Sequence, residues 1–283
     1  MTHPRQTMLT SDGRLARAPK PRGGRRLDWK VFGVLMLGAL LGALCLLPYA
    51  LTLTPALPPG GPPLGVLLIA STVQTLLLVA IAAAVGLRLG ERIGLGAPLL
   101  KAWLAGDPTA PRRFVADLPI AVLIGVAGAV LTAALDLFVF APRIPELQSA
   151  AQAAAPPLWT GLTSALYGAI DEEILLRLGL MTALVWVGTR LTRSAQPGAG
   201  VVWTANVATA LLFGLGHLPA TALIAPLTPL VILRAVVLNG LEGVAFGWLY
   251  WRRGLLAAMV AHFCADVVLH VLAPLLVGWV SPG

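Results

Sequence analysis

Seven uninterrupted apolar segments divide the chain, at about 31–53, 64–87, 118–141, 158–189, 200–218, 230–251 and 255–280. Each can cross a hydrocarbon core of about 30 Å, which takes roughly 20 residues of helix. The runs are continuous and show no alternation with a period of two, so they predict helices rather than the strands of a membrane barrel. The expected fold is all-α, a polytopic transmembrane bundle of about seven to eight helices. The segment from Leu158 to about Arg190 is too long for one perpendicular crossing and too short for two with a loop. It is expected to be a single tilted or kinked helix.

Composition supports this reading. The 283 residues are 58% hydrophobic and 11% charged, with a mean hydropathy of +0.85, far from the average of a soluble domain. The net charge of +8 would suit nucleic acid, but its placement argues otherwise: eight of the twenty Lys and Arg residues lie between Arg5 and Lys30. That stretch reads as a disordered basic tail lying against anionic headgroups, with membrane lipids as its partner and no nucleic acid. The apolar run behind it is too long for a signal peptide and fits a signal anchor.

With the N-terminus in the cytoplasm, the internal loops hold Arg88, Arg92, Lys101, Arg112, Arg113, Arg190, Arg193, Arg252 and Arg253, against Arg143 alone outside. The positive-inside rule is then satisfied. Cys45 and Cys264 fall within spans and read as small buried hydrophobes. No internal repeat is visible. The expected organisation is a tail at 1–30, scaffold spans at 31–157, and a helical core at 158–280. The stretch 142–157 is expected as an external loop, and Leu99 to Leu104 as an amphipathic turn on the membrane surface.

Half of the twelve acids fall inside predicted spans: Asp136, Asp171, Glu172, Glu173, Glu242 and Asp266. Three of the four histidines, His217, His262 and His270, do so too. An ionisable group at membrane depth is costly, which makes each a candidate for function. Glu173 and Arg177 are four residues apart and meet on one helix face, whereas Glu172 is turned about 100° away and left available. Phe213 and His217 share a face, as do His262, Asp266 and His270. Arg234 and Glu242 are too far apart along one helix to touch, so each needs another partner.

The ordered set Glu172-Glu173-x-x-x-Arg177, Phe213-x-x-x-His217 and His262-x-x-x-Asp266, on three separate spans, resembles the CPBP family of intramembrane proteases. That family includes type II CAAX prenyl endopeptidases and bacterial proteins of bacteriocin processing and self-immunity, often labelled Abi. The resemblance covers roughly Leu158 to Leu272. It implies a catalytic core at 158–280, in a multi-pass protein of the bacterial plasma membrane, that cleaves a peptide or lipidated-peptide substrate with an activated water and no cofactor. Carried over by position, Glu172 is the general base and His217 helps hold the water. Glu173 supports the site with Arg177, Phe213 shapes the pocket, and His262 with Asp266 stabilises the oxyanion. The family's last motif often ends in Asn. An ionised Asp266 cannot donate to an oxyanion, so its expected task is to orient His262.

Depth along the helices poses a problem for convergence. Counted from the inner ends near Arg190 and Val201, Glu172 and His217 lie about 27 and 24 Å along their axes, but His262 lies only about 12 Å from Gly254. Three rival readings stay open. One is a zinc metalloprotease with Glu172, His217 and His262 as ligands, although no His-Glu-x-x-His is present. The others are a proton-coupled transporter and a non-enzymatic immunity or scaffold protein.

Overall fold

In lipid every backbone N–H and C=O must be satisfied within the protein, so each apolar run forms a helix. The computed structural model describes residues 8–9, 15–16, 27–53, 61–146 and 156–275. Seven of its helices are long and apolar enough to cross a membrane: Trp29–Leu53, Leu64–Ile93, Ala110–Arg143, Leu158–Leu191, Ala199–Thr221, Pro229–Arg253 and Leu255–Leu275. They are called the first to seventh spans below. In the basic tail a two-residue antiparallel ladder pairs Met8 with Ala16 and Leu9 with Leu15. The rest of the tail before Leu27, positions 147–155 of the expected external loop and 276–280 of the last expected span lie outside the described residues.

The charged loop expected between Arg88 and Asp117 is shorter than the sequence suggests. The second span runs on to Ile93, where Gly94 takes a left-handed conformation (φ 75°) and its N–H closes the helix on the Gly90 carbonyl. Glycine adopts that left-handed backbone without the strain that most side chains bring. A short helix follows at Pro98–Leu104, burying Leu99 and leaving Trp103 half-exposed. Lys101 ties it back by a hydrogen bond to Glu91, with Asp28 at 3.8 Å. The Glu91 bond holds the lysine ammonium above its ordinary pKa.

Between helices in lipid there is no hydrophobic driving force, so close packing must supply the cohesion. The buried positions accordingly favour small residues: Ala39, Ala83, Ala121, Ala129, Ala165, Ala258, Ala261 and Ala265. Large apolar side chains such as Leu37, Ile69, Leu123 and Leu191 face outward. The fourth span packs against the first, second, fifth and seventh, while the third and sixth close around the seventh. The third and seventh approach so nearly that a Cβ on Gly125 would collide with the Ala261 backbone.

Polar links, two of them at opposite ends of the sixth span, help to fasten the bundle. Arg234 of the sixth span grips Asp136 of the third through two parallel hydrogen bonds of 2.6 and 2.5 Å, which supplies the partner each residue lacked in sequence. Near the opposite end of the sixth span, the buried Tyr250 hydroxyl receives the Gly96 N–H at 2.8 Å and lies 2.6 Å from Thr182 Oγ1. Tyr250→Phe leaves both partners short of a bond in a buried place. It is expected to cost about 1–3 kcal/mol, read as a lower unfolding midpoint in detergent with the helical signal unchanged.

The Tyr250–Thr182 contact also answers the depth problem. Tyr250 lies four residues before Gly254 and Thr182 nine before Leu191, so the turn at Gly254 falls short of the inner end of the fourth span. The fourth and fifth spans continue past that level to meet where Gly188 packs on Val201. Different distances from the helix ends therefore bring Glu172 and His262 to one depth.

Candidate active site

The fourth span is one continuous helix, but its middle is wound differently from its ends. Leu158–Tyr167 and Thr182–Leu191 are α-helical, whereas Gly168–Glu172 and Ile174–Met181 are π-helical. A π turn is wider than an α turn and is rare outside functional sites. The carboxylates Asp171, Glu172 and Glu173 fall in and between these wide turns.

Glu173 and Arg177 are both completely buried. Arg177 Nη1 lies 3.2 Å from Glu173 Oε1, close enough for charge attraction though poorly aligned for a hydrogen bond. The other end of the guanidinium donates to the Gly243 carbonyl at 3.1 Å. Its central carbon sits 5.2 Å from the Phe213 ring and 5.5 Å from the Phe246 ring, within cation–π range. One arginine thus joins the fourth, fifth and sixth spans.

His262 of the seventh span completes the group. Its Nδ1 is 2.8 Å from Glu173 Oε1; a carboxylate accepts, so this contact assigns the proton to Nδ1. Phe246 stacks on the imidazole at 4.7 Å and Phe213 meets it edge-on at 5.8 Å. Nε2 then points toward Glu172 Oε2 at 3.6 Å and Asp266 Oδ2 at 3.7 Å. Exposure rises outward through the cluster. The Glu173 and His262 side chains are 0% and 3% exposed, while Asp266 and Glu172 are 14% and 20% exposed. Glu172 is therefore the carboxylate with room to meet another molecule.

His217 occupies the break in the fifth span between the helix Ala199–Gly216 and the single turn Leu218–Thr221. Gly216 and Pro219 flank it and end the regular winding. Its Nδ1 is 2.9 Å from the Phe213 carbonyl and its ring meets the Phe213 ring edge-on at 4.6 Å. Among the described residues no ion pair within 4.0 Å joins His217 to Glu172. Phe213 is the group that connects the two histidines, since its ring touches both.

Several placements add to the sequence reasoning. Glu173 lies beside Arg177 as the four-residue spacing predicts, and it also bonds His262, a position 89 residues away. Asp266, expected to orient or charge His262, does lie beside its outer ring nitrogen, and the inner nitrogen is held by Glu173, a contact the sequence did not indicate. Phe246 has no counterpart in the sequence analysis, because a lone aromatic in an apolar span carries no signal. His270 sits beside Tyr49 at 5.7 Å as a packing group. Glu242 is buried with Oε1 unbonded, within electrostatic reach of His262, His217 and Arg177. Asp171 is fully buried with neither oxygen hydrogen-bonded, and a Cβ on Gly42 of the first span would strike its Oδ2.

Gly168 sets the position of the seventh span at the site. A Cβ there would collide with Asp266 Oδ2 and reach within 3.0 Å of His262 Nε2. Gly168→Ala is expected to reduce catalysis about 100-fold through displacement of these two side chains. The check is turnover measured beside an unfolding free energy that falls by no more than about 1–3 kcal/mol.

Residues 154–268 match the family model described as type II CAAX prenyl endopeptidase Rce1-like. The chain carries an Rce1-like domain. The domain takes in the fourth to sixth spans and most of the seventh, and every residue of the cluster lies within it. The matched description is that of an endopeptidase, so the chemistry to account for is hydrolysis of a peptide bond. The first three spans lie outside the Rce1-like match and pack around it. No curated protein and no solved structure matches the chain.

Proposed function

We propose that this protein is a glutamate-dependent intramembrane endopeptidase that cleaves a membrane-anchored peptide with a water activated by Glu172. The observation that supports it most is the division of labour between adjacent carboxylates. Glu173 is spent on Arg177 and His262, and Glu172 faces outward with only the 3.6 Å approach of His262. In the proposed reaction the water gives a proton to Glu172 as its oxygen attacks the scissile carbonyl carbon. The carbonyl oxygen becomes an oxyanion, stabilised by the Nε2–H of His262 in its imidazolium form, whose Nδ1–H stays bonded to Glu173. Collapse of the tetrahedral intermediate breaks the C–N bond, and the proton on Glu172 passes to the departing amine.

Glu173 and Arg177 are assigned to holding His262, Asp266 to steering its outer nitrogen, and His217 with Phe213 to the opposite wall. The zinc alternative would need Glu172, His217 and His262 to gather round one point. Among the described residues no group of three or more His, Cys, Asp or Glu side chains is arranged to hold a metal ion. This donor set does not fit a zinc ion as arranged, and no step is assigned to one.

The proposed setting is the bacterial plasma membrane with the N-terminus in the cytoplasm, on the strength of the arginine distribution. The substrate class proposed is a peptide or lipidated peptide held at the bilayer. The test is purified protein in lipid vesicles with a library of membrane-anchored peptides, with and without a prenyl group. Cleavage that survives exhaustive chelation supports the reading. Cleavage lost to a chelator and restored by zinc replaces it with the metalloprotease, and no cleavage of any library member favours the non-enzymatic scaffold.

A further inference from the structure

Far from the carboxylates, the ends of the second and fourth spans enclose a cavity of about 450 Å³ lined by Arg92, Arg190, Arg193, Trp186, Thr189 and Ser194 among others. Three guanidinium-bearing residues converge there, and no acidic side chain belongs to the lining. None of the three arginines takes part in an ion pair among the described residues. Arg190 lies over the Trp186 ring at 5.2 Å, and the Trp186 indole nitrogen is buried without a hydrogen-bond partner.

Cations at helix C-termini are favourable by themselves, which accounts for Arg92 and Arg190 but not for the rest. Arg193 is the one described non-glycine residue with a positive φ, 51°. It stands where a helix normally ends on Gly or Asn, and this backbone costs an arginine energy that a glycine would not lose. Its N–H closes on the Arg190 carbonyl at 3.1 Å, and the Ser194 N–H on the Thr189 carbonyl at 3.2 Å. This tight turn carries Arg193 back to the cavity that Arg190 also lines.

Uncompensated arginines around a cavity suit a phosphate group, whose oxygens accept bidentate guanidinium bonds. The surroundings favour a lipid as its source. Val187 and Leu191 next to the cavity are 44% and 78% exposed, an apolar surface for acyl chains beside the charged mouth. From Arg190 to Glu172 is eighteen residues of helix, roughly 27 Å, whereas three extended substrate residues reach only about 10 Å. The cavity therefore cannot hold the C-terminal carboxylate of a substrate cut a few residues from its end.

We propose that this arginine cavity is a binding site for the phosphate of a net-anionic ligand, with an anionic phospholipid as its source. The test compares wild type with Arg92→Gln/Arg193→Gln in detergent, using native mass spectrometry to follow phosphatidylglycerol, phosphatidylcholine and inorganic phosphate separately. Arg112→Gln/Arg113→Gln serves as a control with the same charge loss outside the cavity. Phosphatidylglycerol binding is expected to weaken at least tenfold in the cavity variant and no more than twofold in the control, with phosphatidylcholine at least tenfold weaker on wild type. Inorganic phosphate bound by wild type and lost in the cavity variant, with phosphatidylglycerol unaffected, would keep the phosphate site and assign it to the free anion. Equal weakening in the two double variants, or none in either, overturns the proposal. Arg92→Lys/Arg193→Lys guards against misfolding: it keeps the charge and removes the fork, so it should melt like wild type and still lose several-fold in affinity. Wild-type affinity in that lysine variant overturns the claim of bidentate recognition.

Discussion

Glu172→Gln is expected to lower the turnover of a membrane-anchored peptide by about 100- to 10,000-fold, the range over which a positioned acid–base group contributes. The amide keeps the shape of the side chain and removes the group that takes a proton. Stability should hardly move, because Glu172 is partly exposed and its approach to His262 is 3.6 Å, longer than a hydrogen bond. The measurement is single-turnover cleavage by the variant beside its unfolding midpoint. Retained cleavage within tenfold of wild type would move the base elsewhere. Glu242 would then be the next residue to substitute, since it is buried near both histidines and Arg177 with one oxygen unbonded.

Arg177→Met is the substitution expected to cost most in stability. It removes the cation from a buried pair and leaves Glu173 shared only with His262, a loss of about 3–5 kcal/mol for a broken buried ion pair. It also frees the Gly243 carbonyl and empties the space between Phe213 and Phe246. The pairwise part can be isolated: Arg177→Met combined with Glu173→Gln should destabilise less than the two single changes added together. The readout is the unfolding midpoint of all four proteins in one detergent. Strict additivity would mean that Arg177 acts by packing and not by charge. Either single variant should also lose activity under conditions where it remains folded, because His262 loses the arrangement that fixes its inner nitrogen.

The fold was legible because its signal is local. A continuous apolar run becomes a helix wherever lipid surrounds it, and no partner need be known. The motifs were legible for the same reason: Glu173 and Arg177, Phe213 and His217, His262 and Asp266 are each four apart, and a helix brings such pairs together without outside help. Contacts between spans were not. Nothing in the sequence near Asp136 names Arg234, 98 residues on, and nothing near Glu173 names His262. The π-winding of the fourth span was equally hidden, because its residues read as ordinary helix formers. The Glu173–Arg177 pairing survived that error, since i and i+4 stay neighbours in either winding.

A helix with wide turns in its middle carries slack in its count of residues. Delete one residue between Gly168 and Met181 and the backbone can draw tight into ordinary α-helix, still buried, still fully bonded, still spanning. The α-helical turns on either side would keep nearly their relative orientation and only side chains within the wide turns would change neighbours, whereas the same deletion in an α-helical turn rotates everything beyond it by about 100°. The protein should insert and fold with its length trimmed while Glu172 faces the wrong neighbour. Loss of function by shortening, without loss of structure, is a kind of damage to which the outer turns of the same helix have no comparable exposure.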